Sequence, residues 1–361
     1  MSRYTAQAVV ALPDPEAVLG PLCEHLTEHG AALSREGSAR IIRFEKGEAR
    51  FQLQGRAACI DLEAGDVEAL YFLRLNVSAH LVEYAPEAAS LIEWKGDGHD
   101  FTRPLNFHIL EVVRTVEIAP HMRRITFAGE NLVRFAPMTA LHLNLLVQRP
   151  ECEEPQWPTV GQNGLMQWAK PELRPWFRKY TVRALDLEAG TMDIDFVIHE
   201  DAGPGSDFAL KAKPGDPVGV AGPGGGGLRE ARWYLFAGDE TALPAISRML
   251  EHLPASAHGR ALIEVQDERE IQSLRTGSAV EVEWLLRGDA EAGTTTLLAD
   301  AVRAVDFPAE GTSVFVWAGC EFDAFRAIRT HLREDRGLGK QDHLVVAYWR
   351  RGQSEDEVRR I

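Results

Sequence analysis

From Arg232 onward the chain alternates strand-like apolar runs with amphipathic helical ones, and this alternation restricts the possible folds more than any other feature. RWYLFAG, ALIEVQ, VEVEWLLR, SVFVWAG and HLVVAYWRRG read as buried strands, rich in branched and aromatic residues. ALPAISRMLEHLP, TTTLLADAVRAV and FDAFRAIRTHLREDRG read as helices, the last ending on a glycine stop. Strands that alternate with helices form a parallel sheet, and in such sheets ligands collect beyond the carboxyl ends of the strands. Residues 228–361 are therefore expected to form an α/β parallel-sheet module.

The text before it is of another kind. FHILEVVRTVEI, RRITFAG, LHLNLLV, KYTVRALDL and MDIDFVIHE are short runs separated by Gly, Pro, Asp and Asn, without long helical patterns. This predicts an antiparallel β-barrel over 106–227. Its closing run, GPGGGG at 222–227, does not sit between a strand and a helix, so it reads as a flexible connector. Residues 1–90 read as a small α+β domain. DPEAVLGPLCEHLTEHG has helical periodicity, with Asp14 as N-cap and Pro15 at the first helical position. ARIIRFEKGEARFQLQGRAACIDLEA alternates as strands with a turn at Lys46-Gly47, and DVEALYFLRLNVSAHLVEYA is helical again. The polar, turn-rich stretch 91–105 is expected to be a linker.

A formal charge of −15 opposes non-specific binding to nucleic acid or to acidic membranes. No apolar run is long enough to span a bilayer, and MSRYTAQAVVALPDPEAV lacks the pattern of a signal peptide, so a cytoplasmic location is expected. Four cysteines, Cys23, Cys59, Cys152 and Cys320, have no CxxC spacing, which argues against a zinc or four-cysteine iron–sulfur site. His25, His29 and His80 read as surface or helix-packing histidines, and no metal ligands are assigned. Redox chemistry in this chain would therefore use an organic cofactor.

Three segments carry candidate chemistry. In RKYTVR, Arg178 can neutralise a pyrophosphate, Tyr180 can stack on an isoalloxazine ring and Thr181 can hydrogen-bond near its N5; an ordinary exposed strand would also explain the string. In FVIHEDAGPGSDFA, the Gly-Pro-Gly-Ser turn can offer backbone N–H groups to phosphate, or can be a simple loop. In LFAGDETALPAI, a buried strand ends at Gly238 and a polar turn enters a helix near Leu243-Pro244, where a strand-end site belongs; helix capping by Asp239 or Thr241 is the plainer account.

RKYTVR, DFVIHEDAGPGS, WYLFAGDETALPAI, VEWLLR, the Trp317–Arg329 segment and YWRRG occur in this order in siderophore-interacting proteins, which the chain resembles over roughly 106–352. That family resembles the ferredoxin-NADP reductase superfamily in fold. Residues 1–90 resemble, more loosely, a small domain of unknown function. The resemblance implies FAD held by Arg178, Tyr180 and Thr181, with Tyr180 and Thr181 at the reacting ring. His199 and the turn Gly203, Gly205 and Ser206 would line its ribityl-phosphate portion, and Asp239, Thr241 and Ala242 would approach from the second module. Gly238, Trp317 and Glu321 would meet nicotinamide, Tyr348 and Trp349 would lie over the flavin region, and Arg350 and Arg351 would attract an anionic siderophore. The family usually has Gly where this chain has Cys320, often Lys where it has Asn144, and Trp where it has Phe208; Cys320 bears on nicotinamide affinity and on thiol reactivity.

The function implied is FAD-dependent reduction of ferric siderophores, with electrons from NAD(P)H or a reduced ferredoxin. Alternatives are a flavin reductase or electron-transfer flavoprotein serving another redox partner, and a siderophore-binding protein without catalysis.

Overall fold

A computed structural model of the chain describes residues 3–28, 31–199 and 203–353. His29 lies outside the described residues. The N-terminal part builds one antiparallel sheet from β1 (Tyr4–Ala11), β2 (Ala32–Glu36), β3 (Ala39–Phe44), β4 (Gly47–Gln54), β5 (Ala57–Ala64) and β6 (Lys95–Gly96), in the order 2-3-4-5-1-6. Helices α1 (Pro15–Glu28) and α2 (Val67–Tyr84) pack on each other and on this sheet. Asp14 accepts a hydrogen bond from the Ala17 amide, and Asp66 does the same for Ala69, so both helices start where an acidic cap satisfies an orphan N–H. The hairpin turn falls on Glu45-Lys46, one residue ahead of the expected Lys46-Gly47, because Gly47 already pairs with Phe44.

The stretch 91–105 is not a bare connector. Ile92 and Trp94 are buried in the same core as α1 and α2, β6 extends the sheet, and Arg74 donates to the carbonyls of Asp97 and Gly98. Polar turn chemistry concealed two anchoring apolar residues.

The barrel begins with β7 (Phe107–Ala119), β8 (Met122–Ala128) and β9 (His142–Val147). A two-stranded ribbon, β10 (Thr159–Val160) and β11 (Met166–Gln167), comes before β12 (Trp176–Asp186), β13 (Thr191–Val197), α3 (Pro204–Lys211) and β14 (Pro217–Gly224). Among the described residues β12-β13-β8-β7-β14-β9 close into a six-stranded barrel filled by residues such as Phe127, Phe135, Leu143, Ile194 and Phe196. Residues 151–174 group with residues 1–107 in one compact unit, and residues 108–150 and 175–361 form the other. In the first unit Asn163 ties this segment down: its carbonyl accepts from Ser78 Oγ at 2.6 Å and Trp94 Nε1 at 3.2 Å, and its amide donates to Ala89 O. Gly164 follows at φ +75°, a conformation that disfavours a side chain.

The last module runs β15 (Trp233–Gly238), α4 (Leu243–His252), β16 (His258–Val265), β17 (Ala279–Leu286), α5 (Leu297–Arg303), β18 (Val314–Glu321), α6 (Phe322–Thr330) and β19 (His343–Trp349). All strand pairs are parallel, in the order β17-β16-β15-β18-β19. The chain reverses its direction of winding between β15 and β18, which places the ligand crevice at the carboxyl ends of those two strands. The glycine run 222–227 is a correction to the expectation of a loose connector. A Cβ on Gly226 would meet Leu344, one on Gly227 would meet the Met138 carbonyl, and one on Gly225 would meet the His142 ring. These residues are small because neighbours press against the backbone.

Candidate active site

Gly238 and Gly319 pair across β15 and β18 at the crevice. A Cβ on Gly238 would lie 2.5 Å from that of Ala242, and one on Gly319 would meet both Trp317 and Tyr348 at 3.0–3.2 Å. The two glycines therefore let α4 and the aromatic pair close over the strand ends. Trp317 and Tyr348 stand edge to face, with centroids 6.0 Å apart. Tyr348 owes its direction to a bulge. Cys320 pairs with Ala347 and Glu321 with Trp349, so Tyr348 is the extra residue, and a bulge re-aims the side chain it carries.

The Tyr348 hydroxyl lies beside Thr181, which is buried on barrel strand β12 and favours the ionised phenol. Burial outweighs this and pushes the phenol well above its ordinary value, so it remains neutral. Next to Thr181, Tyr180 packs its ring 4.3 Å from that of Phe196, and its hydroxyl reaches the start of α3. A Cβ on Gly205 would stand 2.0 Å from that oxygen. Ser206, the next residue, is buried, and its Oγ has no hydrogen-bond partner. Trp317 Nε1 is likewise buried and unpartnered. Unpaired buried donors are costly; Trp317 stands against Tyr348, and Ser206 follows the glycine that meets the Tyr180 hydroxyl. A glycine cradle at a helix start, two orphan polar atoms and a half-buried tyrosine form a donor set that fits a phosphate-bearing aromatic cofactor.

Asp239 is wholly used by the protein. One carboxylate oxygen accepts from Thr241 N and Oγ1, and the other accepts from Glu321 N at 3.1 Å and Trp349 Nε1 at 2.8 Å. Burial raises its pKa, and these four donors oppose the rise. Asp239 thus pins the turn after β15 to β18 and β19 and does not cap α4, whose cap residue Ala242 has no side-chain bond. Glu321 is committed too: it accepts from Asp323 N as the cap of α6 and from Arg351 N. Arg350 lies over the Phe322 ring at 4.5 Å, and Arg350 and Arg351 are both exposed. Arg178, half-buried, donates to the Phe177 carbonyl at 2.8 Å; His199 is exposed after β13, and Gly203 is the cap residue of α3.

Thus Tyr180, Thr181, Gly205 and Ser206 of the barrel meet Trp317 and Tyr348 of the last module through Thr181. Gly238, Asp239, Thr241, Ala242, Glu321 and Trp349 form the adjoining turn. Arg351 joins that turn through its amide, which donates to Glu321, whereas Arg350 lies on Phe322 and Arg178 on the Phe177 carbonyl.

Sequence reading missed an acidic cluster beneath the turn. A cavity of about 30 Å³ is lined by Asp239, Glu240, Glu264, Arg287, Cys320 and Glu321 among others. Glu240 pairs with Arg287 at 2.5 Å, and burial, then the neighbouring Asp239 charge, push Glu240 up to about 7. Burial also raises Glu264, which accepts from Thr295. Nothing local in the sequence joins residues so far apart. Cys320 is fully buried among α5 and α6 residues, and burial beside three carboxylates pushes its thiol far up. It is therefore a packing residue and not a thiolate nucleophile. His142 was also missed, although it lies two residues from Asn144 on one strand face; it pairs with Thr181 across strands, and burial, aided by Lys179, lowers its pKa. Asn144 itself pairs with Lys179, so a cation stands in the adjacent strand.

Barrel, parallel module and aromatic crevice together define a flavoprotein oxidoreductase. Comparison with known proteins gives the family. A siderophore-interacting FAD-binding domain matches residues 111–227, a siderophore-interacting protein domain matches 231–352, and a bacterial domain of uncharacterized function matches 7–95. Ferric vibriobactin reductase ViuB of Vibrio cholerae is 30% identical over 251 residues, covering 69% of this chain and 91% of the relative. An uncharacterized protein of Mycobacterium tuberculosis is 33% identical over 273 residues, covering 72% and 94%. A siderophore utilization protein from T. fusca superposes with a TM-score of 0.61 at 40% identity, covering 70% of this chain and 96% of that one. The chain belongs to the siderophore-interacting protein family, and its barrel takes FAD. Among the described residues no helix is long and apolar enough to cross a membrane.

Proposed function

We propose that the chain is an FAD-dependent ferric-siderophore reductase that draws electrons from NAD(P)H or a reduced ferredoxin. The observations that carry this reading are the Thr181–Tyr348 contact, the Gly205 cradle at the Tyr180 hydroxyl and the unpaired Ser206 and Trp317 donors. Bound there, FAD supplies a two-electron acceptor that can also pass electrons singly. Tyr180 offers its ring as a stacking surface, and Thr181 holds a hydroxyl at the ring's reactive edge. Ser206 and the α3 N-terminus meet the phosphates, and Arg178 supplies a positive charge to them. Trp317 and Tyr348 exclude water from the crevice, with Gly238 and Gly319 allowing their approach. Asp239, Thr241, Ala242 and Glu321 hold the turn rigid, and Arg350 and Arg351 attract the anionic substrate.

Siderophores bind Fe(III) through hard oxygen donors, which hold Fe(II) far more weakly, so one-electron reduction releases the metal. One two-electron donor serves two ferric complexes. The name of the Vibrio cholerae relative supports this substrate class. The test is anaerobic visible spectroscopy of the purified protein. Flavin bands should bleach on adding NADPH or NADH, or a reduced ferredoxin, and recover on adding a ferric hydroxamate or catecholate. Bands that bleach and then ignore every ferric siderophore, while free flavin or quinone restores them, would overturn the substrate and favour an electron-transfer role.

A further inference from the structure

We infer that the N-terminal unit carries a surface site for a divalent first-row transition-metal ion, held by His25, His80 and Glu83. The sequence alone reads these histidines as surface or helix-packing residues. The fold brings His25 of α1 against His80 and Glu83 of α2, and one ligand atom from each lies within 4.8 Å of the others. His80 and Glu83, three residues apart, share a face of α2. The two rings stand 5.3 Å apart and are tilted by 49°, neither stacked nor edge-on.

Each imidazole is also steered from behind. His80 Nδ1 lies 2.8 Å from the Asn76 carbonyl, which holds the ring in its orientation beside His25. His25 Nδ1 faces the Glu28 carboxylate at 3.4 Å. A backbone carbonyl and a carboxylate are the outer partners that orient metal-binding histidines. Ligands about 2.0–2.1 Å from one ion stand roughly 3.4 Å apart, so only a small closure is needed. Glu83 is exposed and both histidines are half-buried, so the side chains are able to make it.

Two imidazoles and one carboxylate select zinc, nickel, cobalt or ferrous iron over magnesium and calcium, which take all-oxygen sets. Three protein ligands leave positions open for water or an incoming group. The site is independent of the flavin reading, because none of its residues belongs to the barrel or the parallel module.

The test is equilibrium dialysis of the tag-free full chain, with its flavin, against ZnCl2 or MgCl2, followed by metal counting. One zinc per chain is expected in the wild type and in His258→Ala, a change at an exposed histidine elsewhere. His25→Ala and His80→Ala should weaken binding at least ~10-fold, and Glu83→Gln about ten-fold. Zinc should raise the melting temperature of the wild type but not of His80→Ala. Flavin content, read from the same samples, should be unchanged, which separates this outcome from the reductase test. Absence of zinc from the wild type, zinc retained in His80→Ala and Glu83→Gln, or equal uptake of magnesium would each overturn the assignment.

Discussion

An added methyl at Gly205 would stand 2.0 Å from the Tyr180 hydroxyl, and Tyr180 is backed by Phe196, so the ring has little room to retreat. Gly205→Ala should therefore weaken FAD binding at least ~10-fold, read by flavin fluorescence on titration, since small displacements of positioning groups are felt strongly. Combining it with Tyr180→Phe removes the clashing oxygen and should recover part of the loss; no recovery would mean that the glycine serves phosphate approach alone. Trp349→Phe keeps the aromatic ring and deletes the donor to Asp239. It should cost about 1–3 kcal/mol in urea unfolding, because a buried carboxylate loses one of four partners. A cost near zero would show that the other three donors suffice.

Among elements, α4 fastens the parallel module to the barrel through a charged side chain. Arg248 on its buried face donates to the carbonyls of Val182, Phe135 and Ala136 at 2.6–3.2 Å, and burial lowers its pKa to about 10. Arg248→Met should cost about 2–4 kcal/mol, as three carbonyls lose a charged donor. Flavin release should follow, since Ala242 caps the start of the same helix; stability loss with intact flavin would break that link. The barrel strands and the strand–helix alternation were legible because apolar runs of the right period were bounded by turn residues. β1 was missed because YTAQAVVA is short of large apolar residues, yet it lies between β5 and β6 with Ala6, Ala8 and Val10 facing the core. The site motifs were legible as strings, whereas the bulge at Tyr348 and the Glu240–Arg287 pair arise only from register and long-range contact.

At the scale of the whole molecule, the charge of −15 should repel an anionic ferric siderophore during encounter. If the proposed activity holds, kcat/KM for such a substrate should rise with ionic strength as the field is screened, and should stay flat for a neutral one. Folding stability should carry the opposite sign of pH dependence from that of a paired surface carboxylate. Because the folded state raises Glu240 from 4.5 to about 7, its contribution is full below about 4.5 and is lost as pH rises through about 7. Glu240→Gln should flatten that slope between pH 5 and 8, by roughly 1–3 kcal/mol in unfolding free energy. An unchanged slope would mean that Arg287 keeps the carboxylate charged throughout.

The grouping of residues 151–174 with the N-terminal unit has a consequence for handling the gene. Flanking strands β9 and β12 pair directly, Val147 with Trp176, so the excursion between them could be replaced by a short turn. A fragment that starts at residue 108 but keeps 151–174 would carry a segment stripped of Ser78, Trp94 and Ala89, the groups that bond Asn163. The N-terminal module is therefore spelled in two separate stretches of text. Its loss or gain as a working part takes two edits, and a single deletion of residues 1–107 leaves behind a loop that has lost the Ser78, Trp94 and Ala89 partners of Asn163.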